Sequence, residues 1–236
     1  MSTETAWGGI EGIVFDAVGT LIDPFPSVAD VYAEAALRQG IVLDRAEVKS
    51  RFHRHFRNDE VDEARGPLVT DEATEHRRWR RIVADVLPEV PDAERAFREL
   101  WDHFGRASAW RPYADVGPAL KQLHHTGMRL LIGSNFDARL RAVVHGLPAL
   151  EAWVESLVIS SELGFRKPHR AFYETACARL GLPPERVLCV GDDVENDVLG
   201  PRRAGCRGVL LDRQGYRPDN LPYLSDLTAL AANWSI

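Results

Sequence analysis

Five short runs of uninterrupted apolar residues constrain the fold of this 236-residue chain more than any other feature. The runs are GIVFD (12–16), RLLIGS (129–134), SLVIS (156–160), RVLCVGD (186–192) and RGVLLD (207–212). Continuous apolar runs, without polar alternation, are typical of parallel strands that are covered on both faces. Helical patterns separate the last four runs. This alternation predicts an α/β fold, a doubly wound parallel sheet with right-handed crossovers.

The stretch between the first two runs differs from the rest of the chain. Residues 24–110 show no strand pattern and carry four helical patterns, which are SVADVYAEAALRQG, DRAEVKSRFHRHFRN, TDEATEHRRWRRIVADVL and PDAERAFRELWDHFGRAS. Four helices exceed what a simple crossover requires. We therefore predict a core domain of residues 1–23 and 111–236 and a helical cap domain of residues 24–110. The hinges are expected near Asp23–Pro26 and Trp110–Pro112.

Composition limits the partners and the compartment. A net charge of −6 supplies no general basic surface, so we expect no nucleic-acid partner. No apolar run approaches the roughly 20 residues that span a bilayer, and MSTETAWGG has neither a basic segment nor an apolar signal core. Cys177, Cys189 and Cys206 lack CxxC spacing, which indicates buried thiols rather than disulfides or a zinc site. We expect a cytoplasmic protein without a membrane partner.

Polar side chains follow the apolar runs. Asp16 ends the first run, Ser134–Asn135 end the second, and Asp192 ends the fourth, with Asp197 five positions later. Lys167 precedes the helix after the third run and is one of three lysines among 29 basic residues. Ligands of open α/β sheets bind outside the carboxyl ends of the strands. These side chains are therefore expected to meet in one site.

The segments that carry these residues resemble a known family. FDAVGTL, IGSNFD, GFRKPHRAFY and VGDDVENDVLGPRRAG resemble, in the correct order, the four motifs of the haloacid dehalogenase (HAD) superfamily. The resemblance spans nearly the whole chain and implies a Rossmann-like core with an inserted helical cap. It further implies a magnesium-dependent hydrolase, most often a phosphatase of a small phosphorylated compound, whose first aspartate attacks phosphorus and forms an aspartyl-phosphate.

The resemblance assigns roles to the strand-end residues. Asp16 would be the catalytic nucleophile, and Lys167 would contact both Asp16 and the phosphoryl oxygens. The ligands of Mg²⁺ would be the Asp16 side chain, the backbone carbonyl of Val18 and Asp192. Asp197 would support the metal site through water or a neighbouring contact. Magnesium favours such oxygen ligands.

The same resemblance assigns substrate contacts to three further residues. Ser134 would donate its hydroxyl to a phosphate oxygen, helped by nearby backbone N–H groups. Asn135 and Thr20 would orient the groups that touch the substrate. Asp193 and Glu195 lie in the same motif, which does not require them, so we expect them to serve the structure of the loop.

One departure from the family pattern affects the expected chemistry. The commonest phosphatase members have Asp-x-Asp-x-Thr, whereas this chain has Asp16-Ala17-Val18-Gly19-Thr20. The missing second carboxylate would protonate the leaving alcohol and then activate water, a contribution of roughly 10²–10⁴-fold. We therefore expect a slow or selective phosphatase. Aryl and acyl phosphates should suffer least, and the phosphoenzyme should accumulate.

Three other functions remain open. A non-catalytic protein that binds phosphate or a partner could keep the site as a scaffold, and Val18 favours this alternative. A metal-independent 2-haloacid dehalogenase also carries a non-acid at this position and attacks carbon. A carbon–phosphorus hydrolase would need a Schiff-base lysine in the cap, where Lys49 is the one lysine.

Overall fold

The computed structural model describes residues 7–64, 66, 68–216 and 221–234. Within them, six strands form one parallel sheet in the spatial order β5-β4-β1-β6-β7-β8, which confirms the predicted doubly wound α/β, Rossmann-like fold. The strands of this sheet are β1 (Gly12–Phe15), β4 (Arg129–Ser134), β5 (Ser156–Ile159), β6 (Val187–Gly191), β7 (Arg207–Leu211) and β8 (Tyr223–Leu224). The strands β2 (Ile22–Pro24) and β3 (Trp110–Pro112) form a separate antiparallel pair.

Helices lie between the strands along the chain and flank the sheet. In chain order the described α-helices are α1 (Val28–Leu37), α2 (Arg45–Ala64), α3 (Glu72–Val86), α4 (Ala93–Phe104), α5 (Val116–His125), α6 (Arg139–His145), α7 (Pro148–Glu151), α8 (Ser160–Leu163), α9 (Arg170–Leu180), α10 (Gly200–Arg203) and α11 (Leu227–Ala231). A π-helical segment, Val194–Leu199, precedes α10. In the part of the chain that the structure describes, none of these helices combines the length and the apolarity needed to cross a bilayer.

The central strand β1 sets the register of the sheet edge. Phe15 pairs with Ile132 of β4 and with Val190 of β6. The residues that come next on all three strands therefore lie side by side at the carboxyl edge. Apolar clusters cover both faces of β1: Phe15 belongs to one cluster and Val14 to the other. Burial on both faces explains why the strand sequences show no polar alternation.

The helices α1 to α4 all lie between β2 and β3, in residues 25–109, which we call the helical insertion. All four of these helices begin at a side-chain cap: Ser27 accepts from Asp30 N, Asp44 from Glu47 N, Asp71 from Thr74 N, and Asp92 from Arg95 N. The insertion has an apolar cluster of its own, separate from the two that cover the sheet. Its large buried side chains include Tyr32, Ile82, Phe97 and Leu100.

Candidate active site

Asp16 lies directly after β1, where its backbone N–H still donates to Val190 O of β6 at 2.9 Å. Among the described residues, both hydrogen bonds to its carboxylate fall on Oδ1. Nζ of Lys167 donates to this oxygen at 2.7 Å and Oγ of Ser134 at 3.2 Å. The Asp16 side chain remains 12% exposed, and in the described part of the chain no hydrogen bond occupies Oδ2. The carboxylate is thus held in one orientation at the sheet edge.

Lys167 joins two acids. Its Nζ lies 2.7 Å from Oδ1 of Asp16 and 2.8 Å from Oδ1 of Asp197, and its side chain is 5% exposed. Burial favours the neutral amine and lowers the pKa of Lys167, but the charges of Asp16 and Asp197 outweigh burial and raise the pKa above its ordinary value. Lys167 is therefore an ammonium ion at neutral pH.

The backbone of Lys167 is clamped by one amide side chain. Nδ2 of Asn135 donates to Lys167 O at 3.1 Å, and Lys167 N donates to Oδ1 of Asn135 at 2.7 Å. Asn135 follows β4, so this pair of bonds ties the end of that strand to the loop before α9. The lysine is positioned through its main chain as well as through its ammonium group.

Three carboxylates meet around this lysine. Ligand oxygens of Asp16, Asp192 and Asp197 all lie within 4.8 Å of one another. Asp192 is exposed as a residue, but the protein atoms around its carboxyl group desolvate it, and with the charges of Asp16 and Asp197 they raise its pKa to about 8. Burial likewise raises the pKa of Asp197 to about 6, although Lys167 opposes the shift. The single positive charge of Lys167 does not neutralise three ionised carboxylates.

The donor chemistry of this cluster fits a hard divalent cation. Every side-chain donor is a carboxylate oxygen, which Mg²⁺ prefers, and burial together with the charges of Asp16 and Asp197 disfavours the ionised form of Asp192 unless a cation is near. The predicted ligands Asp16 and Asp192 are thus close together, with Asp197 beside them.

The loop after β1 packs directly onto Asp192. Gly19 has a φ of +83°, and a Cβ atom there would lie 2.3 Å from Oδ2 of Asp192. Glycine meets both demands, a left-handed backbone and a close approach. Thr20 is fully buried, and its Oγ1 donates to Oδ1 of Asp192 at 3.4 Å. Thr20 therefore contacts the acid cluster.

Val18 carries hydrocarbon where a second acid was expected from the family pattern. Its side chain is partly buried and packs against the apolar cluster that contains Phe15. A bridge pairs its backbone with Ile22, and Gly19 N donates to Ile22 O at 2.9 Å. The turn after Asp16 is thus stabilised by backbone bonds and apolar packing, neither of which needs a carboxylate.

The remaining acids of the fourth motif serve the loop, as expected. Oδ1 of Asp193 caps the π-helical segment by accepting from Asn196 N at 2.7 Å. Asp193 N in turn donates to Oδ2 of Asp197 at 3.1 Å. Glu195 pairs with Arg203 on the surface.

Sequence reasoning missed Arg213. It follows β7, and its Nε and Nη2 donate to Thr20 O at 3.1 and 2.8 Å. Its Nη1 donates to Oδ2 of Asp115 at 3.1 Å, and its guanidinium carbon lies 3.9 Å from the ring centroid of Tyr113. The strand-end rule, applied to the fifth apolar run as well, would have identified this arginine as a neighbour of the site.

Known proteins and one family model match most of the chain. The family model described as haloacid dehalogenase-like hydrolase matches residues 10–205. Haloacid dehalogenase-like hydrolase domain-containing protein 3 of Danio rerio is 26% identical over 213 residues, which cover 87% of this chain and 86% of that protein. Glyceraldehyde 3-phosphate phosphatase of Methanopyrus kandleri is 30% identical over 219 residues, covering 88% and 86%. A solved dehalogenase with an intermediate complex has a TM-score of 0.74 at 21% identity, covering 94% and 96%.

Proposed function

The chain belongs to the haloacid dehalogenase-like hydrolase family, and on that premise we propose that it is a magnesium-dependent phosphatase for a small phosphorylated compound. The observation that carries this proposal is the acid cluster of Asp16, Asp192 and Asp197 around the ammonium of Lys167. A dehalogenation at carbon has no need of a cluster of three acids at the nucleophile. The phosphatase name of the Methanopyrus kandleri relative supports the same substrate class.

The proposed mechanism begins with the orientation of Asp16. Lys167 and Ser134 hold Oδ1, so Oδ2 is the oxygen that attacks phosphorus. The new Oδ2–P bond forms as the bond from phosphorus to the leaving oxygen breaks, and that oxygen departs with the electron pair. Water then attacks phosphorus, which releases phosphate and regenerates the Asp16 carboxylate.

Positive charge is required because a carboxylate approaches an anion. Asp16, the Val18 carbonyl and Asp192 would hold Mg²⁺ with support from Asp197, and the ion would supply charge that offsets the repulsion between Asp16 and phosphate. The ammonium of Lys167, 2.7 Å from Oδ1 of Asp16, would contribute positive charge to the same balance and contact the phosphoryl oxygens. Ser134 would donate to a phosphate oxygen, while Asn135 orients Lys167 through its main chain and Thr20 contacts Asp192.

Val18 determines which substrates react well. Because no carboxylate stands there to protonate the leaving oxygen, alkyl phosphates should react slowly, by a factor of roughly 10²–10⁴. Acyl and aryl phosphates need little protonation and should react best. Hydrolysis of the aspartyl-phosphate lacks a general base in the same way, so the phosphoenzyme should accumulate.

The deciding experiment is a phosphatase screen with Mg²⁺ or with EDTA on the wild type, Asp16→Asn and Val18→Asp. We expect metal-dependent turnover of acetyl phosphate and p-nitrophenyl phosphate, its loss in Asp16→Asn, and faster turnover of alkyl phosphates in Val18→Asp. Rapid-quench labelling should show a burst of phosphate on Asp16. Phosphate binding without turnover of any ester or anhydride would instead support the non-catalytic scaffold.

Val18 also favours a second candidate, a metal-independent 2-haloacid dehalogenase. In that reaction Asp16 would attack the carbon that carries the halogen, and halide would leave with the bonding electrons. Chloride release from 2-chloropropionate in EDTA, without phosphatase activity, would support this candidate over the first. The carbon–phosphorus hydrolase has less support because Lys49 lies exposed on α2.

A further inference from the structure

A buried ion pair lies immediately after the Ser134–Asn135 turn. Asp137 is fully buried and accepts from Arg139 at both oxygens, from Nε at 2.7 Å and from Nη2 at 2.7 Å. Its Oδ1 also accepts from the backbone N–H of Arg139 at 3.1 Å. This bidentate pair shapes the first turn of α6, two residues beyond the amide that clamps Lys167.

The third edge of the same guanidinium reaches into the helical insertion. Nη1 of Arg139 donates to the backbone carbonyl of Trp101 on α4 at 2.7 Å, and the guanidinium carbon lies 3.3 Å from the Trp101 ring centroid. A methyl group added at Gly105 would lie 3.2 Å from Cδ of Arg139. The end of α4 thus fits closely around this side chain.

Arg139 also lies within electrostatic reach of α1. Burial raises the pKa of the Tyr32 phenol, and the charge of Arg139 opposes that rise. Tyr32 packs against Phe104, which packs against Trp110, which packs against Phe136 beside Asn135. The Arg139 guanidinium therefore lies within a continuous set of side-chain contacts that joins the insertion to the loop after β4.

The insertion also contacts the other partner of the clamp, the segment before Lys167. Thr70 N donates to Gly164 O at 3.1 Å, and Arg166 N donates to Leu68 O at 3.0 Å. Glu72 at the start of α3 accepts from Ala138 N at 2.9 Å and from the hydroxyl of Ser161. Both halves of the Asn135–Lys167 clamp are thus backed by insertion residues.

We propose that Arg139 is a positioning residue that holds the insertion against the Ser134–Asn135 turn. The two hydrogen bonds between Asn135 and the Lys167 backbone are then fully formed only while α4 is in contact with Arg139. That contact orders Asp137 and Asn135, and Asn135 holds Lys167 against Asp16. The effect on turnover rests on the proposed phosphatase function. The effect on the clamp does not.

The chain contains a matched control on the same helix. Arg141 of α6 makes a bidentate pair with Glu162, with its Nε at 2.7 Å from Oε1. That pair links α6 to α8, and both of its residues lie outside the insertion. Arg141→Met therefore removes an arginine–carboxylate fork between two residues of the sheet side, whereas Arg139→Met removes a fork and also the bond from Nη1 to Trp101 O on α4.

The test is hydrogen exchange by mass spectrometry on Arg139→Met, Arg139→Lys and Arg141→Met, followed over residues 98–106, 133–138 and 164–169. We expect about tenfold faster exchange in all three segments for Arg139→Met, including the Lys167 amide that donates to Asn135. Arg139→Lys should recover part of the protection because it keeps the charge but loses the fork and the stacking. Arg141→Met should exchange like the wild type in these segments.

Turnover gives the second readout. With acetyl phosphate, Arg139→Met should lower kcat by on the order of tenfold to a hundredfold, since a small misplacement of a catalytic group has effects of that size. KM should change less than kcat. If Arg139→Met unfolds, Gly105→Ala is the second variant: its methyl group would lie 3.2 Å from Cδ of Arg139, which forces a small shift of that side chain while keeping its charge, and the same segments should lose part of their protection.

Wild-type exchange at 164–169 in Arg139→Met and Gly105→Ala would overturn the inference, as would equal effects of the Arg139 and Arg141 variants. A wild type that is inert toward every phosphate ester and anhydride would overturn the proposed function alone. In that case exchange at the Lys167 amide still decides whether the insertion sets the clamp.

Discussion

Around Asp16, single atoms decide what the site can do. Lys167 and Ser134 both contact Oδ1 of Asp16, Gly19 leaves room for Oδ2 of Asp192 where a methyl group would collide, and Val18 places an apolar side chain in the turn after Asp16. Each feature concerns one side chain and can be tested by one substitution. Three predictions therefore belong at this scale.

Gly19→Ala should disturb Asp192 and weaken metal binding. Gly40→Ala is the matched control because Gly40 also has a left-handed backbone, with φ of +80°, but open space around its Cα. Both variants should lose on the order of 1–2 kcal/mol of unfolding free energy from left-handed strain. Calorimetric titration with Mg²⁺ should show weaker binding for Gly19→Ala alone. Equal affinities in the two variants would mean that Asp192 does not need this glycine.

The acid cluster should make stability depend on pH when no metal is bound. The pKa of Asp192 is about 8 in the folded protein against 3.8 for an ordinary aspartate. The folded state therefore holds this proton more tightly, so its contribution to stability is present below about pH 4 and is lost as pH rises toward 8. Urea unfolding in EDTA should show this loss in the wild type and less of it in Asp192→Asn.

Magnesium should reverse that trend. A bound cation favours the ionised acids, so added Mg²⁺ should raise the unfolding free energy more at about pH 8 than at about pH 5. Unfolding with and without Mg²⁺ at both values measures the difference. A stabilisation by Mg²⁺ that is equal at both pH values, or that persists in Asp192→Asn, would contradict the assignment of Asp192 as a ligand.

At the scale of elements, the strands that sequence predicts are those whose residues are buried on both faces. The runs that became β1, β4, β5, β6 and β7 were recognisable because packing on both sides demands apolar residues throughout. The strands β2, β3 and β8 are two or three residues long, and tertiary pairing rather than local pattern defines them. Local sequence therefore predicts the five longer strands of the sheet and misses the three short strands β2, β3 and β8.

The same contrast holds for the site. The strand-end positions of Asp16, Ser134, Asn135 and Asp192 followed from the apolar runs, and Lys167 was noticeable because lysine is rare in this chain. The two-way clamp of Asn135 on the Lys167 backbone was not predictable, because the partners are 32 residues apart and no period links them. The bonds of Arg139 to Trp101 and of Arg213 to Thr20 were not predictable for the same reason, because each joins residues that are distant in the sequence.

Arg213 should stabilise the loop after β1 from the end of β7. Arg213→Met removes the charge-assisted bonds to Thr20 O and to Asp115, and we expect it to lower the unfolding free energy by about 2 kcal/mol. The control is Arg186→Met, whose pair with Glu11 is about half exposed and should contribute about 0–1 kcal/mol. Urea unfolding measures both. Similar values for the two variants would show that Arg213 is not an anchor.

Over the whole molecule, apolar packing is divided between the insertion and the sheet. Tyr32, Phe97 and Leu100 belong to a cluster that includes no residue of the sheet, whereas Leu120 and Ile132 belong to one that covers it. Separate cores allow the two parts to open with different free energies. The contacts of Arg139 and of residues 68–72 are then the means by which they influence each other.

Phe97→Ala should loosen the insertion more than the sheet. Removing this buried ring should cost about 3–5 kcal/mol within the cluster of the insertion. Hydrogen exchange should accelerate in α1, α3 and α4 before it does so in β1, β4 and β6. Leu120→Ala, on the side of the sheet, should give the opposite order. Uniform acceleration across the chain in both variants would show that the two cores unfold together.

The antiparallel pairing of β2 with β3 places the two junctions of the insertion next to each other, with Ile22 opposite Pro112 and Pro24 opposite Trp110. Any polypeptide whose own termini lie side by side can be joined at that ribbon while β1 and β4 keep their registration. The helical insertion therefore leaves and rejoins the rest of the chain at one place, and it can be replaced as a single unit without changing the order of the strands that carry Asp16 and Ser134.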